Sequence, residues 1–122
     1  LWLRLAGLLP GYVGIETRTA RAEIAAGMLP EAIARMETYT AAHPDDYEGW
    51  TQLGLAHSAA SQQAPALVAL RKALAIKPTA REALDGALAI FKQEYQTDQA
   101  RALIDELLQR APGDPVLLHA RP

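Results

Sequence analysis

The feature that most constrains this chain is a 34-residue interval. Pro10, Pro44, Pro78 and Pro112 each stand 34 residues after the one before. Ala32, Ala66 and Ala100 keep the same interval, as do Trp2, Met36, Leu70 and Ile104. A further column holds Leu5, Tyr39, Ala73 and Leu107. Several columns sharing one spacing mark an internal repeat, so the chain is built from copies of one supersecondary unit. The copies run over 13–46, 47–80 and 81–114, with a half copy over 1–12 and a new start over 115–122.

Within a copy the pattern is helical. Trp50, Leu53 and His57 recur at i, i+3 and i+7, which places them on one face. Ala66, Leu70 and Ala73 do the same on a partner helix, so the second copy predicts helices over about 46–60 and 63–76. The small residues Gly54 and Ala66 let the two helices approach closely. Each proline ends the helix before it, because it lacks an N–H and clashes with the preceding turn. Asp45-Asp46, Thr79 and Thr97-Asp98 are the expected caps of the helices that follow. No segment alternates at period two, so no sheet is expected. One helical hairpin cannot cover its own apolar face, and about three stacked copies are needed. Three are present, and a hydrophobic content of 50% supplies their core.

The second copy, with Trp50, Leu53-Gly54, Ala66, Leu70, Ala73 and Pro78, resembles the tetratricopeptide repeat. That family places Trp, Leu-Gly, Tyr, Ala, Phe, Ala and Pro at the matching offsets, and His57 stands where it usually has Tyr. The third copy follows with Leu84, Leu88, Phe91, Ala100, Ile104, Leu107 and Pro112. The first keeps Gly27, Ala32, Met36, Tyr39 and Pro44, but has Glu16, Thr19 and Glu23 at sites that are usually apolar. The resemblance implies an all-α fold, a right-handed α-solenoid of antiparallel helix pairs with about three repeats and partial flanking repeats. It also implies that first helices line a concave groove and second helices form the convex side, where Arg71, Lys72 and Arg110 fall.

By the same resemblance the groove residues are Thr17, Arg21 and Ile24, then Thr51, Gln52, Leu55 and Ser58, then Asp85, Ala89 and Lys92. Short polar and small apolar groups suit an extended or helical peptide. Arg21 and Lys92 are candidates to hold a carboxylate, and Asp85 a basic side chain. Chaperone-binding family members use a carboxylate clamp of Lys, Asn and Arg. The matching sites here are Thr17, Arg21, Gln52, Glu82 and Gly86. Only Arg21 is basic and Glu82 repels a carboxylate, so that role is not expected. A narrower resemblance, from Ala42-His43-Pro44-Asp45-Asp46-Tyr47-Glu48-Gly49-Trp50 through Leu53-Gly54, is to bacterial cytochrome c maturation factors. Those membrane-anchored periplasmic proteins hold apocytochrome C-termini for haem attachment.

The functional expectation is a non-catalytic scaffold that binds a protein or peptide in a bacterial-type assembly or maturation complex. The alternatives are a structural subunit embedded in a larger, membrane-associated complex, and an apocytochrome-holding factor. A periplasmic or membrane-associated location is preferred to a cytoplasmic one, and a membrane-protein partner stays open. With 12 basic and 14 acidic residues, and no basic stripe among aromatics, nucleic acid is not an expected partner. No cysteine is present, which removes thiolate metal sites and a cysteine nucleophile. The three histidines fall in different copies. His57 occupies a packing column, and His43 with Asp45 and Asp46 reads as a loop and helix cap, so no metal or other cofactor is expected. Glu31, Glu37, Asp105 and Glu106 lie on surface-type positions. No phosphate loop, metalloprotease helix or serine elbow occurs.

No run of 18 apolar residues is available to span a bilayer. The leucine-rich segment 1–9 fits the repeat frame through Trp2, Leu5 and Pro10, and reads as the second helix of a truncated repeat. A membrane anchor's tail and a partner-binding helix are the other readings. Both apolar ends, 1–9 and Leu117-Leu118, are candidates for end-to-end association. The start at Leu1 and the partial copies lead us to expect an excerpt of a longer protein.

Overall fold

A computed structural model describes residues 14–120. The segment 1–12, with its reading as a repeat helix or anchor, lies outside the described residues. Among those residues every regular element is a helix: α1 (Ile15–Ala25), α2 (Leu29–Ala42), α3 (Tyr47–Ala59), α4 (Gln63–Ile76), α5 (Arg81–Gln93), α6 (Thr97–Arg110) and α7 (Pro115–Ala120). The chain is all-α there, as its periodicity predicts. No helix of the described residues is long and apolar enough to cross a membrane.

The 34-residue interval is carried into the elements. Helices α2, α4 and α6 begin at Leu29, Gln63 and Thr97, and α3, α5 and α7 begin at Tyr47, Arg81 and Pro115. The turn inside each copy keeps it too. Gly27, Ser61 and Tyr95 all take left-handed backbone, with φ of 78, 62 and 56°. That conformation reverses the chain within a few residues. Glycine adopts it freely, whereas a side chain there costs roughly 1–2 kcal/mol.

Helix ends follow the prolines as expected: α2, α4 and α6 have their C-caps at His43, Lys77 and Ala111, one residue before Pro44, Pro78 and Pro112. The starts are less uniform. Asp46 Oδ1 accepts from the Glu48 N–H at 3.0 Å, and Asp114 Oδ2 from the Leu117 N–H at 3.0 Å. The expected caps at Thr79 and Thr97-Asp98 do not form. The capping positions belong to Ala80 and Gln96, neither of which makes a side-chain cap. Ala80 holds the period position of Asp46 and Asp114 but is only 5% exposed and packs into the core. Thr97 and Asp98 are already inside α6.

The central helix α3 touches α1, α2, α4 and α5, and buries Gly49, Thr51, Gln52, Leu53, Gly54 and Ala56. Gly54 is where α3 and α4 meet: a Cβ there would lie 2.6 Å from Leu70 and 3.1 Å from the Ala66 carbonyl. The predicted close approach of Gly54 and Ala66 is therefore present. Leu70, Leu74, Leu84, Phe91, Leu103 and Leu107 build the larger core, and Ala20, Met36, Leu53 and Ala69 a smaller one. Full burial of each large side chain contributes about 1.5–3 kcal/mol.

Charged residues on the second helices are also used structurally. Lys72 Nζ lies 4.5 Å from the centre of the Trp50 ring, whose Nε1 donates to the Pro44 carbonyl at 2.9 Å. Arg110 donates to the carbonyls of Leu74 and Ala75 at 3.2 and 2.6 Å. A cation there complements the carbonyl end of α4.

Candidate functional site

The first helix of each copy packs beside the next, α1 against α3 and α3 against α5. Their shared face carries one interaction that ties the first copy to the third. Arg21 on α1 donates from Nη1 to Glu82 Oε2 at 2.6 Å and from Nη2 to Glu82 Oε1 at 2.9 Å. The residues are 61 apart in sequence, and Glu82 lies in the first turn of α5. Both are well exposed, so the pair contributes about 0–1 kcal/mol, the two-pronged geometry favouring the upper end. The hydrogen bonds to Glu82 hold the Arg21 pKa above its ordinary value. Partial burial works against this, and the charges of Glu82 and Glu48 add to it.

Gln52, on α3, completes this cluster. Its Nε2 donates to Glu82 Oε1 at 3.4 Å, a long contact. The residue is only 1% exposed, and its Oε1 is buried without a hydrogen-bond partner among the described residues. A buried acceptor left without a donor costs about 1–3 kcal/mol. Beside the cluster opens a cavity of about 260 Å³ whose lining includes Arg21, Tyr47, Glu48, Thr51, Lys77 and Glu82. Lys77 Nζ sits over the Tyr47 ring at 4.7 Å and donates to its hydroxyl at 3.3 Å. Arg81 Nε lies 3.7 Å from Asp85 Oδ2, one turn along α5.

The ten expected groove residues are not equivalent. Thr17 and Thr51 are buried, and their hydroxyls donate to the Gly14 and Tyr47 carbonyls at 2.8 Å each. Their polarity is spent on the local backbone rather than offered to a partner. Gln52 is buried and faces Glu82. Arg21, expected to hold a partner's carboxylate, is engaged by Glu82 instead, and Asp85 by Arg81. Ile24, Leu55 and Ser58 are half-buried, while Ala89 and Lys92 are exposed. Leu55 packs near Gly86, where a Cβ would lie 3.1 Å from its Cδ2. Lys92 falls at the far end, on a separate cavity of about 720 Å³ lined largely by Leu88, Phe91, Ala100 and Ile104. Tyr95, 93% exposed, stands at its rim.

His57 is half-buried, with Nδ1 2.7 Å from Gln62 Oε1. His43 stacks on Tyr39 at 4.7 Å between ring centres. Among the described residues no group of three or more His, Asp or Glu side chains is placed to hold a metal ion.

Sequence reasoning weighed Glu82 only as a repulsive charge and did not pair it with Arg21. It also missed Arg35, which donates to Glu23 at 2.7 Å and Glu16 at 3.1 Å. A signal existed: in the 34-residue frame Glu16 and Glu23 match Leu84 and Phe91, and Arg35 matches Leu103. Acids and a base replace apolar residues together. No protein-family model matches the chain.

Proposed function

We propose that the chain is a non-catalytic tetratricopeptide-type scaffold, a right-handed α-solenoid that holds a partner's peptide on the face shared by α1, α3 and α5. The observation that carries this reading is the recurrence of helix starts and left-handed turns at 34-residue steps, with α1, α3 and α5 packed side by side. Such an arrangement aligns equivalent positions along one continuous surface, which suits an extended or helical ligand. The exposed Ala89 and half-buried Ile24, Leu55 and Ser58 supply small contacts along it.

The test is selection of peptides from a random displayed library on the 122-residue chain. Selected peptides are then measured by fluorescence anisotropy against Ala89→Trp, which fills the face, and Val68→Asp, an exposed change on α4. Binding lost with Ala89→Trp and kept with Val68→Asp supports the groove. Equal binding to both variants removes it.

A second reading is a subunit embedded in a larger complex, supported by the apolar cavity around Phe91 and Ile104 beside the exposed Tyr95. In that case a stoichiometric partner stays bound on dilution. The Ala42–Gly54 phrase keeps the apocytochrome-holding version of the peptide reading within the same proposal.

A further inference from the structure

We infer that Glu82 and Gln52 form a receptor for an arginine side chain of the bound peptide, and that the chain's own Arg21 occupies it when no peptide is present. This rests on the groove reading above and names the partner's chemistry.

The argument starts from donors and acceptors. Arg21 spends both terminal nitrogens on Glu82, and Gln52 turns its amide N–H toward the same carboxylate. The amide cannot be flipped, because its carbonyl would then face a carboxylate. Gln52 Oε1 is consequently fixed as an acceptor, buried in a residue of 1% exposure, with no donor among the described residues. The cluster as it stands is thus one donor short. Glu82 and Gln52 Oε1 are both acceptors, so the group that satisfies them must be rich in N–H. A guanidinium presents five N–H donors in a planar fork, an ammonium only three and without that geometry.

Exchange is feasible because the resident pair is exposed: the Arg21 side chain is 61% and the Glu82 side chain 45% accessible. Replacing one guanidinium by another conserves the charge-assisted bonds to Glu82, and the gain is the bond to Gln52. Among the neighbouring charges, Glu48 adds negative potential at Arg21; Lys77 and Arg81 also line the cavity, Lys77 drawn to the Tyr47 ring and hydroxyl and Arg81 to Asp85. An acidic ligand is disfavoured, since drawing Arg21 away leaves it facing Glu82.

The experiment uses the library-selected peptides on the whole chain and reads affinity in three variants. Arginine should be enriched in the selected peptides. Glu82→Gln should weaken them roughly tenfold. Arg21→Ala should tighten them severalfold, because the competing internal guanidinium is gone. Circular dichroism confirms that each variant folds; should Arg21→Ala not fold, Arg21→Gln carries the same test. The sign at Arg21 is decisive. If removing Arg21 weakens the peptides while Glu82→Gln leaves them unchanged, Arg21 grips a partner's carboxylate and the inference is overturned. Peptides that lose affinity with Ala89→Trp, keep it with Val68→Asp and carry no arginine also overturn it while leaving the groove standing. If no selected peptide depends on Ala89, the groove itself fails, and this inference with it.

Discussion

At matching positions of the 34-residue period, the first copy carries Glu16, Glu23 and Arg35 where the third carries Leu84, Phe91 and Leu103. In the third copy these side chains are buried, at 1, 0 and 3% exposure, and join the larger core. In the first, Arg35 bridges the two acids, and all three side chains keep contact with water. Both sets hold a first helix to its second helix, by different physics. Apolar burial is not screened by salt, whereas a partly solvated ion triad is. The first copy therefore presents a polar face, around a cavity of about 640 Å³ lined in part by Glu16, Glu23, Glu31 and Arg35. The third presents the apolar cavity around Phe91. The expected first-copy weakness at Glu16 and Glu23 is compensated by one arginine, not by burial.

The largest test of this contrast is Phe91→Ala, which deletes a fully buried ring. We expect a loss of about 3–5 kcal/mol, measured by urea unfolding. A loss below about 1 kcal/mol would place the core elsewhere. Next is Gly54→Ala at the α3–α4 contact, where the added methyl meets Leu70 and the Ala66 carbonyl. It should cost about 1–3 kcal/mol and, being central, affect both ends alike. Arg35→Ala should cost about 1 kcal/mol, leaving Glu23, whose side chain is 12% exposed, without its cation. Amide exchange should quicken in α1 and α2 while α5 and α6 keep their protection; equal quickening in both pairs breaks the comparison.

The smallest effect concerns pH. Tyr39 donates a short hydrogen bond to Asp46 Oδ2. Burial chiefly, then that hydrogen bond and the nearby carboxylates, raise the Tyr39 pKa above its ordinary 10.0. A raised folded-state value means that the contribution is complete below pH about 10 and is lost as pH climbs toward the folded value. Stability in the first copy should fall through that alkaline window, and Tyr39→Phe should flatten the fall. An unchanged slope in Tyr39→Phe would assign it to another group.

Helix positions were legible because a period and its prolines are local facts. The expected 46–60 and 63–76 became Tyr47–Ala59 and Gln63–Ile76. The caps were less legible: Thr79 has the right chemistry for a cap but stands one residue before Ala80, the residue at the helix entry. The candidate site was legible only as a face. Thr17 and Thr51 lie on α1 and α3 as expected, yet their hydroxyls turn back to their own helices.

The sequence by itself determined the repeat interval, the helix pairs and the close contact at Gly54, since each depends on spacing within one copy. Only the tertiary structure decided which charges meet. Arg21 finds Glu82 across 61 residues, and Arg35 finds Glu16 and Glu23 on another helix. Such pairings depend on side-chain reach between packed helices, and a one-dimensional period records positions without recording that reach.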